Sequence, residues 1–454
     1  MKETKKTIDR KTTICSIIGI TAVIALIVCF VIALKNHSSN KTSSSSSLSS
    51  SSSTTTLSSS KITTGGTYKI TADNECITIN TVDSVELDLE NATITCTTAP
   101  AINVESAGKV NIVLTGENTI NSTTTEELNG AIYSKDDLIF SGTGSLKLTS
   151  NYDGIVSKDD LVINGGTYII NSTDDGLIGR DSIEITDGTF NITTGGDGIK
   201  TTNEEDPAEG YINITGGTFT INSVSDGIQA ITNLTIKSGT FTIKTTGNAS
   251  TDSAKGLKTG TLITIDGGTY DITTTDDGIH SNGNIVINNG KITVNSKDDG
   301  IHADGMVEIN NGTLNITAAE GIEGTYVKLN GGTINISATD DGINAGNKST
   351  AYSVKIEING GNITIKMGGG DTDAVDSNGD IYMNGGTLNI TAQSPFDYDG
   401  TAKYSGGTII VNGTTTNQIT NQQMGGGEMK GQTPNQGNMN QNRGPGGNTM
   451  PGRR

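Results

Sequence analysis

Length, composition and charge exclude several classes of protein. Of the 454 residues, 60 are glycine and only 6 are proline, so a collagen triple helix, which needs both in a regular three-residue period, is excluded. Acidic residues number 49 and basic residues 30. The resulting net charge of −19 argues against nucleic acid as a partner, because phosphate binding needs clustered lysine and arginine.

The N-terminal segment predicts a membrane anchor. Residues 1–13 are rich in lysine and arginine, and an uncharged apolar run follows at 14–34. A run of this length can cross a bilayer, and its basic flank predicts that 1–13 is cytoplasmic and that the rest of the chain is exported. We therefore expect a single-pass protein of the cell membrane with an extracellular domain, or a secreted protein if the segment is cleaved as a signal peptide.

Two low-complexity segments flank the central part of the chain. Residues 35–60 are dominated by serine and threonine, which predicts a flexible linker. The tail at 416–454 is rich in glutamine, asparagine and glycine, and this composition predicts disorder. In the exported part, Cys76 and Cys96 form either a disulfide or two free thiols, because both states occur outside the cytoplasm.

Between residues 61 and 415 the chain repeats itself. The clearest units read Asp-Asp-Gly-Ile-His at 276–280 and 298–302, and Asp-Asp-Gly-Ile-Asn at 340–344. We take the glycine of each unit as the register glycine. The commonest spacing between equivalent glycines is about 22 residues, and such a period is typical of a solenoid.

Each repeat predicts three short strands. Apolar residues alternate with polar ones around Ile279, Ile285 and Ile292, and an Asp-Gly-Gly-Thr corner at 266–269 shows how the second strand turns into the third. Three strands per period, without helical periodicity, predict an all-β fold. We expect a single-stranded, right-handed parallel β-helix whose coils stack about 4.8 Å apart.

Five aromatic residues occupy one position in five successive coils. They are Tyr168, Phe190, Phe219, Phe241 and Tyr270. An external stack of these rings could serve as a platform for sugars. However, each lies two residues from an isoleucine of its own strand and so faces the same way, which favours a ladder inside the core.

Acidic residues precede the register glycine in most coils. Turn chemistry explains single Asp-Gly pairs, but in four coils the acid is doubled, at 174–175, 276–277, 298–299 and 340–341. Like charges about 5 Å apart repel by about 1 kcal/mol per pair even at the dielectric constant of water. A calcium ion would remove this penalty, because Ca²⁺ takes six to eight oxygen ligands from carboxylates and carbonyls.

A polar stripe is expected beside these acids. The residue after the isoleucine should face the same side as the register glycine, whose missing side chain should leave open space there. The predicted metal ligands are Asp174, Asp175, Asp276, Asp277, Asp298, Asp299, Asp304, Glu320, Glu323, Asp340, Asp341, Asp373 and Asp376. The predicted ligand-binding residues are Lys258, His280, His302, Asn344 and Asp397.

The two histidines of the stripe also suggest zinc at first sight. Neither a cysteine nor a third histidine lies near His280 and His302 in the repeats, which disfavours zinc. An exposed, hydrogen-bonding surface is the preferred interpretation of this pair.

The repeats resemble those of bacterial exported carbohydrate-binding proteins that have a calcium-binding right-handed parallel β-helix. Those proteins are described as binding cellulose and pectic polygalacturonate. The resemblance covers residues 61–415 and rests on the Asp-Asp-Gly-Ile-His/Asn units and the Asn-Gly-Gly-Thr corners. It implies a carbohydrate-binding domain at 61–415 with Ca²⁺ as its cofactor.

A more distant resemblance is to the family-nine pectate lyases, which share the fold and an Asp-Asp-Gly-x-Asp calcium motif. Carried over, their metal positions fall on 276–277 or 298–299, but the last acid of the motif is His280 or His302 here. The segment at 373–376 keeps both outer acids and loses the first acid of the doublet. These departures weaken the match to the lyases.

The lyases abstract a proton with a lysine near the calcium. Lys200 and Lys258 occupy the outward position of their coils, but a lysine on an acidic stripe more often balances charge. We therefore predict that the protein is not an enzyme, with pectate lyase-like activity kept as one alternative.

The sequence as a whole predicts a monomeric, surface-displayed protein that binds polysaccharide in a calcium-dependent way. Pectic polygalacturonate in the plant cell wall is the expected partner, with calcium bridging protein and uronate carboxylates, and cellulose is a second candidate. The absence of tryptophan argues against tight stacking on crystalline cellulose. A structural or adhesive surface rod without a defined glycan is the other alternative.

Overall fold

The computed structural model describes residues 55–56, 60–123, 130–248, 253–369 and 372–421. These residues form 43 strands in one sheet and no helix. No helix long and apolar enough to cross a membrane occurs in this part of the chain. The predicted basic segment at 1–13, the anchor at 14–34, most of the linker and most of the tail lie outside the described residues.

The strands are short, and many contain only three to six residues. In chain order they are β1 (Thr55–Thr56), β2 (Lys61–Ile62), β3 (Gly66–Asn74), β4 (Ile77–Asn80), β5 (Ser84–Cys96), β6 (Ile102–Ser106), β7 (Lys109–Thr115), β8 (Glu117–Ser122), β9 (Ile132–Ser134), β10 (Leu138–Gly142), β11 (Ser145–Ser150), β12 (Ile155–Ser157), β13 (Asp160–Ile163), β14 (Thr167–Ser172), β15 (Leu177–Gly179), β16 (Ser182–Ile185), β17 (Thr189–Thr194), β18 (Ile199–Thr201), β19 (Tyr211–Ile214), β20 (Thr218–Ser223), β21 (Ile228–Ala230), β22 (Asn233–Ile236), β23 (Thr240–Thr245), β24 (Leu257–Thr259), β25 (Leu262–Ile265), β26 (Thr269–Thr273), β27 (Ile279–Ser281), β28 (Asn284–Ile287), β29 (Lys291–Asn295), β30 (Ile301–Ile309), β31 (Thr313–Ala318), β32 (Ile322–Leu329), β33 (Thr333–Ala338), β34 (Ile343–Ala345), β35 (Lys355–Ile358), β36 (Asn362–Met367), β37 (Val375–Ser377), β38 (Asp380–Met383), β39 (Thr387–Thr391), β40 (Asp397–Tyr398), β41 (Ala402–Tyr404), β42 (Thr408–Val411) and β43 (Thr414–Thr416).

Apart from the antiparallel pair of β42 and β43 at the C-terminal end, the strands pair in parallel with their equivalents in the next coil, which produces three ladders. In the first ladder β24 pairs with β27, in the second β25 pairs with β28, and in the third β26 pairs with β29. Four longer strands, β3, β5, β30 and β32, each pass through two ladders. The described chain is therefore all-β and has stacked coils, as predicted, and its pairing is consistent with a parallel β-helix solenoid.

Inward-facing aliphatic residues form continuous columns through the coils. In the second ladder, Leu161 lies beside Ile183 and Ile285 lies beside Val307, and all four side chains have no exposed surface. Each apolar side chain thus packs on its equivalent one coil away. The hydrophobic core is therefore a continuous column along the coils, and each coil contributes to it equally.

The aromatic ladder lies inside the core, as predicted. Neighbouring rings from Tyr168 to Tyr270 are stacked with centroids 4.7–5.0 Å apart, and the five side chains are at most 1% exposed. The hydroxyl groups of the two tyrosines at its ends donate to the carbonyl oxygens of Gly165 and Gly267, each at 2.8 Å. The alternative of an external sugar platform is wrong, because sugars cannot reach these rings.

The corner glycines are needed for their backbone conformation. In the corner at 266–269, Gly268 has a φ of +102°, in the left-handed region that L-residues with a side chain rarely adopt. The chain can therefore turn sharply from β25 into β26, as the corner motif predicts.

The register glycines correct one expectation. A Cβ atom on Gly227 would lie 2.4 Å from Cγ2 of Ile243 and 2.6 Å from the carbonyl oxygen of Gly256 in the next coil. The same close approach recurs at Gly176 and Gly300. These glycines do not leave open space on the acidic face. They allow the backbones of successive coils to approach each other and the core.

One disulfide joins Cys76 to Cys96, with 5.0 Å between the two Cα atoms. Cys76 immediately precedes β4, and Cys96 is the last residue of β5. The bond therefore ties together the N-terminal coils of the described solenoid, and it decides the alternative that the sequence left open.

Candidate functional site

The acids before the register glycines form a hydrogen-bonded column that we call the aspartate ladder. Its members are Asp153, Asp175, Asp197, Asp226, Asp277, Asp299 and Asp341. Oδ1 of Asp175 accepts the backbone N–H of Asp197 at 2.6 Å, and Oδ1 of Asp197 accepts that of Asp226 at 2.8 Å. In the same way, Oδ1 of Asp226, Asp277 and Asp341 accepts the backbone N–H of Lys255, Asp299 and Asp373, respectively, at 2.8–3.2 Å. These carboxylates therefore join consecutive coils.

Most of the aspartate ladder is buried. Asp226 is 1% exposed and Asp277 is 3% exposed. Burial raises the pKa of the Asp153 carboxyl to about 6, and the negative charge of Asp175 adds to the rise. The acidic part of the expected polar stripe is thus largely buried, where an unpaired charge costs more free energy than it would in water.

Lysines neutralise the ladder in the N-terminal and central coils. Nζ of Lys200 lies 2.9 Å from Asp175 and 2.8 Å from Asp197, so it bridges two coils. Although burial alone would lower its pKa, the two carboxylates raise the pKa of Lys200 above its ordinary value. Lys258 lies 2.9 Å from Asp226 and also donates to the Ser253 hydroxyl. Both predicted candidates for a catalytic base are therefore held by acids.

Lys255, which replaces an acid of the column, is also a charge partner. Its Nζ lies 2.7 Å from Oδ1 of Asp276 and 2.9 Å from Oδ2 of Asp277. Burial alone would raise the pKa of Asp277, but the hydrogen bond from His280 and the charge of Lys255 bring it below its ordinary value. The Asp276-Asp277 doublet of the predicted calcium set is thus already neutralised by a lysine of the preceding coil.

The histidines occupy the next two coils. Nδ1 of His280 lies 2.8 Å from Asp277, and Nδ1 of His302 lies 2.7 Å from Asp299 and 3.1 Å from Glu323. Burial alone would lower the pKa of His302, but the hydrogen bond to Asp299 and the charge of Glu323 raise it to about 9. Only 13% of each histidine side chain is exposed, so the expected exposed surface is wrong although the hydrogen bonding is present.

Two glutamates continue the stripe beyond the histidines. Nζ of Lys348, in the loop before β35, lies 2.8 Å from Glu323. The side-chain amide of Asn344 donates to Glu320 at 3.0 Å. Burial raises the pKa of Glu320 to about 8, and the negative charge of Glu323 adds to the rise. The predicted ligand-binding residue Asn344 is thus tied to the acids of the preceding coil.

Beyond these coils, carboxylates face carboxylates. Burial raises the pKa of Asp341 to about 7, and the charges of Asp376, Asp340 and Asp373 add to the rise. In the first ladder Asp376 lies beside Asp397, and its own pKa is raised to about 6 by burial, Asp373 and Asp397. Neither Asp341 nor Asp376 has an ion-pair partner among residues 60–123, 130–248, 253–369 and 372–421.

The structure brings together some of the predicted metal ligands and separates others. Ligand atoms within 4.8 Å of one another occur in four groups that contain predicted ligands: Asp174 and Asp175 with Asp153; Asp276, Asp277 and Asp298; Asp277 with His280 and His302; and Asp299 and Glu323 with His302. In the described part of the chain, the remaining members belong to no such group: Asp304, Glu320, Asp340, Asp341, Asp373 and Asp376. The predicted metal ligands therefore do not form one site. Some of them form separate local clusters, and the others stand apart from these clusters.

Sequence reasoning missed a further acidic cluster. Asp137, Asp159 and Asp160 have carboxylate oxygens within 4.8 Å of one another. Burial raises the pKa of Asp159 to about 6, with Asp137 adding to the rise. The sequence does contain a signal for this cluster, because the motif Ser-Lys-Asp-Asp occurs at the same position of two successive coils, at 134–137 and at 157–160.

An open groove of about 500 Å³ lies away from the acidic face. It follows the outward side of the second ladder near the N-terminal coils, where its lining includes Glu86, Lys109, Asn111 and Ser141. The lining is mostly polar and already internally bonded, since the Asn111 amide donates to Glu86 at 3.0 Å.

Comparison with known proteins identifies the family. The carbohydrate-binding domain-containing protein family matches residues 57–300 and 293–425, which together include the whole described solenoid from residue 60. The chain belongs to this family. The family name supports polysaccharide binding and favours a binding protein over an enzyme.

Other comparisons add little. No curated protein matches the chain. A solved structure, the gadolinium derivative of the polysaccharide lyase-like protein from C. thermocellum, is 32% identical over 41% of this chain and 82% of its own, with a TM-score of 0.40. A superposition with that score does not establish a common architecture.

Proposed function

We propose that this carbohydrate-binding protein holds Ca²⁺ on the C-terminal part of its acidic face and binds acidic polysaccharide through it. The observation that carries the proposal is that Asp341 and Asp376 lie among other carboxylates and have no ion-pair partner among the described residues, with pKa values raised to about 7 and about 6. In earlier coils, by contrast, the acids are paired with Lys200, Lys258, His280 and His302. A cation from solution would take the place of those side chains.

Calcium suits these residues better than a softer ion would. It takes six to eight oxygen ligands in flexible geometry, including carboxylates and backbone carbonyls. Asp341, Asp373, Asp376 and Asp397 come from successive coils and supply oxygen only. The other predicted ligands on this face, including Asp340, remain proposed contributors to calcium binding.

The net charge of the chain is the reason for proposing an acidic polysaccharide as the ligand. The chain has a net charge of −19 and would repel a polyuronate in the absence of a bridging cation. Calcium ions that share ligands between protein and uronate carboxylates would turn this repulsion into attraction. Pectic polygalacturonate of the plant cell wall is therefore the proposed ligand, ahead of cellulose, which has no charge to be bridged.

The setting of the domain is also a proposal. The apolar run at 14–34 supports display on the cell surface, with 35–60 as a spacer and the solenoid extracellular. The right-handed coil is supported by the usual sense of crossovers between parallel strands. A monomer is proposed because every coil already packs on its neighbours.

Retention on insoluble glycan tests the proposal. The full-length protein is sedimented with polygalacturonate and with cellulose, in Ca²⁺ and in chelator. We expect retention on polygalacturonate only with Ca²⁺. The double variant Asp341→Asn/Asp376→Asn should weaken it by about tenfold or more, which corresponds to about 1.4 kcal/mol or more.

The matched control is Asp187→Asn/Asp271→Asn, which removes the same charge from two exposed positions. It should bind like the unchanged protein. Retention that survives chelation would contradict the calcium step, and no retention on either glycan would leave the surface rod as the better function. Absorbance of unsaturated products, abolished by Lys258→Ala, would instead establish a lyase.

A further inference from the structure

His280 and His302 form a pair that the proposed function does not use. They lie side by side in the first ladder, and their ring centroids are 4.8 Å apart. Each side chain is only 13% exposed. The pair therefore presents two imidazole groups in a largely enclosed place, several coils before Asp341 and Asp376.

The hydrogen bonds of both rings place a proton on Nδ1. Nδ1 of His280 lies 2.8 Å from the carboxylate of Asp277, and Nδ1 of His302 lies between Asp299 at 2.7 Å and Glu323 at 3.1 Å. A carboxylate only accepts hydrogen bonds, so each Nδ1 carries the proton. In a neutral His302 the lone pair is then on Nε2. This arrangement orients and strengthens histidines that bind metal ions. Nε2 of His280 faces the amide oxygen of Asn282 at 2.9 Å and donates to it, so it can bind a metal ion only after it loses that proton.

The Nε2 atom of His302 is the feature that points to a ligand. It is buried and has no hydrogen-bond partner among the described residues. Oδ1 of Asp304 is 3.5 Å away, too far for a hydrogen bond. A separation of about 3.4 Å is, however, the ligand-to-ligand distance in a tetrahedral zinc site with bonds of about 2.0–2.1 Å.

Acidic side chains surround both histidines. One ligand atom each of Asp277, His280 and His302 lies within 4.8 Å of the others, and the same holds for Asp299, His302 and Glu323. Nε2 of His280 faces Oδ1 of Asn282 at 2.9 Å, and Asn282 occupies the same place in its coil as Asp304 does in the next. An oxygen donor thus follows each histidine by two residues.

We propose that His280 and His302 bind a divalent transition-metal ion of the Zn²⁺ class through their Nε2 atoms, with Asp304 as the carboxylate ligand. Asp277, Asp299 and Glu323 hold the rings through Nδ1. Imidazole nitrogen suits zinc and its neighbours, whereas calcium prefers an all-oxygen set. This site is distinct in ion and in position from the calcium site proposed at Asp341 and Asp376.

Charge balance alone does not account for the pair. A histidine that only neutralises acids, as Lys200 does, needs its contact with the carboxylates and nothing more. It gives no reason for a second ring nitrogen that is buried and has no partner in the described chain. A bound ion satisfies that nitrogen and also neutralises the nearby carboxylates.

The experiment uses the full-length protein, with Co²⁺ as a spectroscopic probe and Zn²⁺ as competitor, both in millimolar Ca²⁺. We expect one equivalent of Co²⁺ to produce visible ligand-field bands of low-symmetry coordination, and one equivalent of Zn²⁺ to abolish them. His302→Gln and His280→Gln should each remove the bands. Asp299→Asn, which changes only the support behind His302, should weaken Zn²⁺ binding by about 10- to 100-fold.

The matched control is His37→Gln, which removes the third histidine of the chain and should leave the bands unchanged. Far-ultraviolet circular dichroism of each metal-free variant verifies that the fold is retained. Absence of the bands from the unchanged protein would overturn the proposal, and so would their persistence in folded His280→Gln and His302→Gln.

Discussion

At the residue scale, the aspartates before the register glycines have a role that turn chemistry does not include. Asp226 accepts hydrogen bonds from the Lys255 backbone at 2.8 Å and from Lys258 at 2.9 Å, and its own backbone N–H donates to Asp197. Through its side chain and its backbone N–H, this one buried residue therefore links three coils. Removal of this side chain leaves buried donors of the next coil without an acceptor, and each such donor lowers the stability of the folded protein.

Replacement of Asp226 by alanine should therefore destabilise the protein. The loss of its hydrogen bonds and ion pair should reduce the free energy of unfolding by about 2–3 kcal/mol, since the Lys258 ammonium is partly exposed and can return to water. Chemical denaturation measures the loss. The control Asp271→Ala, at an exposed position of the third ladder, should stay within about 0.5 kcal/mol of the unchanged protein. Equal losses in the two variants would refute this role of Asp226.

The sequence indicated where these acids lie but not what they contact. The doublets at 276–277 and 298–299 were visible as repeated charge, and calcium was the natural counter-ion to infer. Lys255 looked like an interruption of the column, whereas in the structure its Nζ contacts both acids of the first doublet. Such pairing depends on side-chain reach between coils, which a one-dimensional pattern does not encode.

At the element scale, the spacing between coils depends on the register glycines. They have ordinary backbone angles at Gly176, Gly227 and Gly300, so conformational freedom is not what requires glycine there. The requirement is steric, because the carbonyl oxygen of the next coil and an inward isoleucine occupy the place of a Cβ atom. A single added methyl group must therefore separate two coils or displace the core.

Gly227→Ala should show this cost. Overpacking by one methyl group at 2.4 Å from Ile243 should lower the free energy of unfolding by about 1–3 kcal/mol. Gly369→Ala is the matched control, because nothing lies within 4 Å of the place that its new methyl group would take, and little change is expected. Thermal midpoints of the two variants are compared; a Gly227→Ala protein as stable as the control would show that the coils can separate freely.

Strand order was the most predictable part of the fold. Alternating apolar residues and Gly-Gly corners determine three strands per repeat, and the inward position of the aromatic ladder follows from the same alternation at Phe190 and Phe219. The close approach of the coils at the register glycines was not predictable. A sequence does not show whether a glycine has open space beside it or lies against the backbone of the next coil. Only the stacking distance of the coils distinguishes the two.

At the scale of the whole molecule, the charge of the acidic face changes along the solenoid. Lysines accompany the aspartate ladder in the coils of Lys200 and Lys258, histidines follow at 280 and 302, and acids face acids around Asp341 and Asp376. Within the described coils, the aspartate ladder thus loses its internal counter-charges towards its C-terminal end, and the cluster of Asp137, Asp159 and Asp160 is a second place where acids face acids. Stability should respond to pH and to cations at both places.

Without calcium, the protein should be more stable at pH 5.5 than at pH 8. The raised pKa values of Glu320, Asp341 and Asp376, about 8, 7 and 6, mean that the folded chain retains protons that the unfolded chain has already released. Stability therefore falls as pH rises through this range. Thermal midpoints measured in chelator test this directly.

Millimolar Ca²⁺ should reduce that dependence on pH, because the ion stabilises the ionised carboxylates. Asp341→Asn/Asp376→Asn should reduce it in the same way without any ion, whereas Asp187→Asn/Asp271→Asn should not. A midpoint that rises from pH 5.5 to pH 8 in chelator would contradict the assignment of unneutralised charge to these coils.

The aromatic ladder also gives the protein a built-in optical reporter. Tryptophan is absent, and five rings stand in fixed, nearly parallel contact between β14 and β26. Rings held so rigidly in a chiral surrounding give strong near-ultraviolet circular dichroism, which disappears when the stack loosens. Fraying of the terminal coils would leave the contribution of the stacked rings intact, so the loss of that contribution would mark the opening of the coils between β14 and β26. Unfolding of the solenoid can therefore be followed region by region without any added label.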